Sequence, residues 1–573
     1  MRAGPTRWIE STVDEAAAAR LSRELGLHPL ASRTLASRGL ADLAAAERFL
    51  VPRLEDLPDP FSMKDMEQAA DRLVRAVESG ERIACYGDYD VDGVTSTVLL
   101  AGFLGSAGAD VATYTPHRLV EGYGLNASAV GRLAAQGVKL LVTLDCGITS
   151  VAEVEEARRL GVDVVVVDHH TVPVELPAAV AILNPHRPGC GYPSKHLAAV
   201  GVTFNLVLAL RRRLRERGRF GPSRPEPNLR EALDLVALGT VADVVPLVEV
   251  NRILVRHGLA EIARGRRPGL RALKAVAGVA AGAPVTAGQV GFRLAPRINA
   301  AGRLDDAGRG VRLLAAGDER AALPLAEELD RENRARQEIE RQMLDEAIAD
   351  ATRLVDGGAR GLVLARHGWH PGVVGIVAAR VAERFHRPAV LVGIVDGVGK
   401  GSGRSVEGFH LYDALAACAD HLTRFGGHRH AAGVTVDPGA VDAFRRAFEK
   451  HAAERMADED LVPRTRIEGW AREELLDERG ASDLERLAPF GAGNAEPVFG
   501  LRATPSRARQ VGAGGAHLKL RLADRDAIGF SLGDRLALCA APVEAAVSLG
   551  FDEWDGSRRL QLKVRDLRAS PRP

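Results

Sequence analysis

The chain has 573 residues, 76 Lys and Arg against 75 Asp and Glu for a net charge of +1, and five cysteines. That length admits several domains, and the balanced charge excludes a globally basic nucleic-acid binder, so any such contact must use local patches. Cys85, Cys146, Cys190, Cys418 and Cys539 are widely spaced without a C-x-x-C, no apolar signal region opens the chain, and no run approaches the roughly 18 apolar residues of a spanning helix, so a reduced, cytoplasmic enzyme without structural zinc, disulfides or membrane contact is expected.

Residues 1–64 carry helical signals at 16–25 and 41–50, divided by His28-Pro29 and Gly39, and a proline-rich extended stretch at 51–61. Nothing in them is chemical, and they are expected to pack on the domain that follows. A helix over 64–79 leads to the apolar run 83–86 and then to Gly87-Asp88-Tyr89-Asp90-Val91-Asp92-Gly93. Three alternating carboxylates closed by a glycine, with an apolar helical run behind them, read as a buried strand turning into a helix. Such a turn supplies hard oxygen ligands, or else merely caps the helix. An EF-hand is excluded, because no acid stands at the twelfth loop position.

The loop 115–126 offers His117, Arg118 and Tyr123 among glycines, as phosphate or base contacts or as an ordinary turn. Two further apolar runs end in acids: 139–144 at Asp145, and 162–167 at Asp168-His169-His170. Parallel strands read as continuous apolar runs and bind ligands outside their carboxyl ends, so these acids can meet at one sheet edge. Residues 211–230 hold eight arginines and two glutamates, a solvated face or a backbone contact. Asp243, in an apolar context at 239–247, is the fourth acidic candidate.

In 291–303, Arg297, Asn299 and Arg303 stand among small residues and suit phosphate recognition by guanidinium forks. Residues 325–351 read as a long amphipathic helix joining two domains. A second α/β unit opens at 362–365. Its Gly372-containing turn, Gly401-Ser402-Gly403-Arg404-Ser405 and Gly426-Gly427-His428-Arg429-His430 offer backbone N–H groups, hydroxyls and bases, which makes Ser402, Arg404, Gly427 and His428 phosphate or sugar contacts. Beyond residue 463, alternating segments at 517–522, 527–532, 543–549 and 559–564 predict a small β-barrel. The donor inventory of carboxylates and histidines without a thiolate cluster suits Mn²⁺ or Mg²⁺, with imidazole favouring Mn²⁺. Two ions about 4 Å apart sharing Asp145 could activate water for in-line attack on a phosphodiester.

As a set, Asp88-Tyr89-Asp90-Val91-Asp92-Gly93, Asp145, Asp168-His169-His170 and Asp243 resemble the four signature motifs of the DHH phosphoesterase superfamily. The Gly-Asp-Tyr-Asp-Val-Asp-Gly form, the 296–303 stretch and Gly426–Gly433 are similar to its RecJ branch, the single-strand-specific DNA exonucleases. The resemblance implies an α/β fold of five parts: a helical lead-in (1–64), a parallel-sheet DHH catalytic domain (65–325), a connecting helix (326–351), a DHH-associated substrate domain (352–460) and an OB-like barrel (461–573). It implies that Asp90 and Asp92 each serve one metal, completed by Asp145, Asp168 or His169, and Asp243, with Asp88 a ligand or an acid that orients one. Asp90, Asp92, Asp145, His169 and His170 would be catalytic, His170 facing the scissile phosphate, and Arg297, Arg303 and His428 would offset charge. The implied activity is 5′-to-3′ hydrolysis of single-stranded DNA to mononucleotides in recombination and repair, by a monomer, with a RecQ-type helicase and a single-strand-binding protein as candidate partners. The alternatives are a DHH hydrolase of short oligonucleotides or cyclic dinucleotides, against which the extra barrel argues, and a non-catalytic DNA-binding scaffold, against which the complete acid set argues.

Overall fold

The computed structural model describes residues 6–117, 121–122, 124–304, 306–552 and 557–570. The chain forms two compact units, one of Val51–Ala335 with Ala488–Ala495, the other of Met1–Leu50, Arg336–Leu487 and Glu496–Pro573.

The first unit is built on five parallel strands in the order Val111–Tyr114, Arg82–Gly87, Val138–Leu144, Asp163–Val167, Ala181–Leu183. Their side chains alternate between two buried faces, as strand geometry requires. Ile83, Cys85, Leu140, Val142, Val165 and Val167 pack on the side that holds helices Met66–Ser79, Val91–Ser106 and Ala199–Glu216. Ala84, Tyr86, Leu141, Val164 and Val166 face helices Ala127–Ala135 and Val151–Arg159. This two-sided burial explains why the strands read as unbroken apolar runs. From Arg82–Gly87 the chain adds Val111–Tyr114 on one side and then Val138–Leu144 on the other. The strand order reverses at that point, which opens a crevice at the carboxyl ends of those strands.

The arginine-rich stretch 211–230 is largely ion-paired within this unit: Arg213 with Glu67 (2.8 Å), Arg217 with Glu78 (3.2 Å), and Arg215 with Glu226. That arrangement matches a solvated structural face. The connecting helix, expected over 326–351, runs from Glu319 to Asp356. At about 1.5 Å per residue its 38 residues span about 57 Å. No helix among the described residues is long and apolar enough to cross a membrane.

In the second unit, a five-stranded mixed sheet runs Arg424–Gly427, Ala431–Val436, Val398–Arg404, Ala389–Val395, Leu362–His367, with only the last pair parallel. Trp369, Phe409, Phe444 and Phe448 lie in its core. A six-stranded sheet follows, in the order Phe499–Ala503, Val543–Asp552, Arg559–Ala569, Arg525–Gly529, His517–Leu522, Ser506–Val511. Two of these strands were not anticipated. Phe499–Ala503 is buried at four of five positions and shows no alternation, and Ser506–Val511 is mostly polar. The segment expected at 527–532 ends at Gly529, since Ser531 adopts a positive φ of 58°.

The N-terminal region departs from expectation in two ways. Pro29 does not divide two helices; it opens a third, Pro29–Ser37, capped by His28 Nδ1, which accepts from Leu30 N–H (3.3 Å). Proline fits a first helical turn because its missing N–H has no partner there anyway. Nor do residues 1–50 cluster with the catalytic domain. Strand Arg7–Glu10 pairs in parallel with Arg464–Ile467, Trp8 Nε1 donates to Asp566 (2.8 Å), and Arg33 Nε donates to the Glu468 carbonyl (2.7 Å), all within the second unit.

Candidate metal centre

Three of the five parallel strands, Arg82–Gly87, Val138–Leu144 and Asp163–Val167, deliver an acid just past their carboxyl ends. Asp88 N–H donates to Leu144 O (3.1 Å), Asp145 N–H to Val167 O (3.0 Å) and Asp168 N–H to Leu183 O (3.0 Å), so the ladder sets the three acids side by side. Asp145 sits at a positive φ of 64°, an uncommon conformation for a non-glycine residue and one found at functional sites. Asp90 caps the helix Val91–Ser106, accepting from the N–H groups of Asp92 (2.9 Å) and Gly93 (3.2 Å). A Cβ at Gly93 would lie 2.4 Å from Asp88 O, so only glycine permits the strand end and the helix to meet this closely. Asp92, in the first turn, accepts from Ala199 N–H (2.7 Å) and Val200 N–H (2.8 Å) at the start of another helix, whose terminal N–H groups favour negative charge. Asp243 ends the helix Leu233–Ala242. That helix closes on Asp92 through Gly239, where a Cβ would lie 3.1 Å from Asp92 Oδ1.

Three sets of ligand atoms converge within 4.8 Å: Asp88, Asp90 and Asp145; Asp92, His169 and Asp243; Asp145, His169 and His170. His169 Nε2 is 3.3 Å from Asp145 Oδ1, 3.5 Å from Asp243 Oδ2 and 3.9 Å from Asp92 Oδ2. Yet Asp145 Oδ1, His169 Nε2 and Asp243 Oδ2 are buried without a hydrogen bond among the described residues. Such atoms cost about 1–3 kcal/mol each. A cation among them would supply the missing partner, and the oxygen-rich donor set with one or two imidazoles fits Mn²⁺ or Mg²⁺.

The electrostatics agree. Burial, then repulsion from Asp90, pushes Asp92 up to about 7. Burial, then Asp92, pushes Asp243 up to about 9 and holds Asp145 well above the carboxylate range. Burial lowers His169 to about 4, leaving a neutral imidazole lone pair at neutral pH. His170 goes the other way: burial opposes its charge, but its hydrogen bond to Asp168 and the surrounding carboxylates outweigh it and raise His170 to about 9.

Asp168 stands apart. Its Oδ2 accepts from Ile148 N–H (3.0 Å), and its Oδ1 accepts from His169 N–H (2.7 Å) and His170 N–H (3.0 Å) and meets His170 Nδ1 at 2.7 Å. Although burial opposes it, these bonds hold its carboxyl below the ordinary value. Its contacts orient the two histidines. Fully buried Asn184 adds to this, donating to His170 O (2.9 Å) and accepting from His186 N–H (2.8 Å), a role no local motif announced.

The other anticipated contacts divide between the units. Residues 295–304 form a helix that packs on the acidic loop: Asn299 Oδ1 accepts from Val91 N–H (3.1 Å), and a Cβ at Gly302 would lie 2.5 Å from Tyr89 O. Arg303 lies on the same helix. Arg297, expected to grip phosphate, pairs with nearly buried Asp330 through Nε (2.9 Å) and Nη2 (2.8 Å). In the second unit, Arg404 Nη1 donates to Ser402 Oγ (3.0 Å), and a Cβ at Gly375, in the first turn of helix Val374–Phe385, would lie 3.0 Å from that oxygen. Gly427 has φ 143° and no room for a Cβ, and exposed His428 opens the hairpin turn after it with its N–H on Ala431 O (2.8 Å). Arg118 lies outside the described residues.

The DHH family, N-terminal domain, matches residues 82–240; the DHHA1 domain matches 358–454; the RecJ OB domain matches 467–566. The chain is 37% identical over 579 residues to the single-stranded-DNA-specific exonuclease RecJ of Bacillus subtilis, covering all of this chain and 72% of that one. It is 41% identical over 566 residues to RecJ of Dickeya dadantii, covering 94% and 96%. Among solved structures, RecJ from Thermus thermophilus in complex with Mn²⁺ matches 99% of this chain and 80% of that chain with a TM-score of 0.84 at 35% identity. The Mg²⁺ complex of the same protein matches 99% of this chain and 79% of that chain with a TM-score of 0.78 at 33% identity.

Proposed function

Since the chain belongs to the family of RecJ single-stranded-DNA-specific exonucleases, we propose that it hydrolyses single-stranded DNA to mononucleotides, 5′ to 3′, with Mn²⁺ or Mg²⁺ as cofactor, in DNA recombination and repair. The observation that carries this reading is the convergence of buried ligand atoms without hydrogen-bond partners at the carboxyl edge of the parallel sheet. Asp88, Asp90 and Asp145 would hold one ion, and Asp92, His169 and Asp243 a second, with Asp145 within reach of both sets. Such ions lower the pKa of water and offset charge on the phosphoryl oxygens.

The chain's own residues do the rest. Asp168 is assigned to orientation: it holds the backbone N–H groups of His169 and His170 and keeps His170 cationic, so that His170 can donate to an oxygen of the scissile phosphate. Asn299 holds the first turn of the acidic helix in place. Arg303, with Arg118, balances charge on the strand, while Arg297 holds Asp330. Ser402, Arg404, Gly427 and His428 offer a hydroxyl, a guanidinium, a backbone N–H and an imidazole to a DNA phosphate, and residues 461–573 bind single-stranded DNA. A cytoplasmic monomer working with a RecQ-type helicase and a single-strand-binding protein completes the proposal.

The test is digestion of single-stranded and duplex DNA labelled at either end, with Mn²⁺ or Mg²⁺, using Asp145→Ala as control. Early release of 5′-labelled mononucleotide from the single strand alone, absent in the variant, is expected. Early release of 3′ label would overturn the direction, and intact DNA with either ion would overturn the enzyme.

A further inference from the structure

Phe292 is 86% exposed, more than any other aromatic residue among those described. Leaving a ring of this size in water forgoes about 2–3 kcal/mol of burial, which a group that covered it would recover. It stands on the turn Val290–Leu294, where the chain switches from α to π geometry and Ala295 N–H bonds Val290 O. Single π turns are rare inside helices and concentrate at functional sites, because the extra residue re-aims the side chains that follow.

This turn and the helix after it pack on segments that carry metal ligands. A Cβ at Gly291 would lie 3.7 Å from Val241 Cγ1, against the last turn of the helix that ends at Asp243. The helix that continues from it carries Asn299, hydrogen-bonded to Val91 N–H, and Gly302, against the Tyr89 backbone. Val244, directly after Asp243, is 70% exposed and held at φ 61°, a strained conformation for a β-branched residue. An exposed aromatic ring and an exposed isopropyl group thus stand on segments that adjoin the metal ligands.

We propose that Phe292 is a stacking platform for one unpaired base of the strand whose backbone lies in the metal centre. The inference rests on the single-stranded-DNA reading above. Every base has a π face, so a ring in this place accepts any sequence, while a duplex keeps its bases stacked on each other and has none to offer. The platform therefore adds to affinity and to selection of single strands, and plays no part in bond breaking.

The test compares an oligo(dT) with the same strand made abasic over the first few nucleotides from the end that is cut, using wild type, Phe292→Ala and Phe292→Tyr. Removing the bases or the ring alone is expected to raise KM on the order of tenfold with kcat little changed, and removing both to add nothing further. Phe292→Tyr should restore the wild-type KM. A wild-type KM in Phe292→Ala, or two losses that simply multiply, would overturn the platform. Thermal unfolding of Phe292→Ala should match wild type, as expected for an exposed side chain. Emission of Phe292→Trp, titrated with oligo(dT) in chelator, reads stacking without turnover: quenching by oligo(dT) but not by the abasic strand supports it, and no quenching overturns it. If wild type fails to cut DNA, the nuclease reading falls, and the emission result still decides the platform.

Discussion

Asp168→Asn keeps the shape of a buried side chain and removes its charge, which separates orientation of the histidines from direct metal binding. The wild-type carboxylate is 1% exposed and takes one hydrogen bond on Oδ2 and three on Oδ1. An amide can keep its oxygen toward the two histidines only by turning its NH₂ toward Ile148 N–H, donor against donor. One bond to a charged group is lost, about 1.5–3 kcal/mol, and a buried donor loses its acceptor, about 1–3 kcal/mol, so the metal-free protein should lose roughly 3–5 kcal/mol in denaturant unfolding. His170 should fall from about 9 toward neutrality or below, because burial opposes its charge and Asp168 is its chief compensation. Hydrolysis at pH 8 should therefore drop by more than Mn²⁺ affinity does, and recover in part at lower pH. Calorimetric titration of Mn²⁺ should show a weakening of about 10–100-fold, the usual effect of removing a group that orients ligands. If Asp168→Asn abolishes Mn²⁺ binding as completely as Asp145→Ala, Asp168 is itself a ligand and the reasoning fails.

Without metal, the centre should lose stability as pH rises. Asp92 and Asp243 have folded pKa values raised to about 7 and 9, so the folded state holds protons the unfolded state has released, and their contribution fades as pH climbs. His170, raised to about 9, contributes fully below 6.5 and loses its contribution through 9, whereas His169, lowered to about 4, costs stability only below 6.5. Between pH 6.5 and 9 Asp243 and His170 both lose their contribution, Asp92 does so only up to about 7 and His169 adds no slope, so melting in chelator should show a loss on the order of a few kcal/mol that saturating Mn²⁺ removes. Gly93→Ala forces a methyl to 2.4 Å from Asp88 O and 2.6 Å from Asp88 N, both backbone atoms, and should cost more than about 3 kcal/mol in unfolding experiments together with Mn²⁺ binding. Arg297→Met leaves Asp330, 6% exposed, with Arg334 (2.7 Å) as its remaining ion-pair partner among the described residues, and should destabilise by about 2–4 kcal/mol; Asp330→Asn in the same chain should recover much of that, as a double-mutant cycle would show. Asn299→Leu removes the acceptor of Val91 N–H, and should lower kcat more than KM in the steady-state digestion assay.

Local patterns in the sequence determined three of the five strands of the parallel sheet and its acidic edge; Val111–Tyr114 and Ala181–Leu183 were not announced. An apolar run that ends at Asp88, Asp145 or Asp168 announces a buried strand and the place where it stops, because strand burial and turn chemistry act over a few neighbours. The long helix was legible for the same reason, although it starts seven residues earlier and ends five later than expected. Tertiary structure decided who faces whom. Asp92 is held by the N–H groups of Ala199 and Val200, more than a hundred residues on, and those alanine and valine backbones carry no sequence signal. Arg297 reads as a phosphate binder by composition, and the structure ties it to Asp330 on another helix. Residues 1–50 join the second unit because Trp8, His28 and Arg33 find their partners at Asp566, Asp483 and Glu468. The π turn that exposes Phe292 depends on one backbone hydrogen bond shifting by a single residue. Periodicity encodes which face of an element is buried; the partner on that face is settled only when distant segments compete for it in the packed chain.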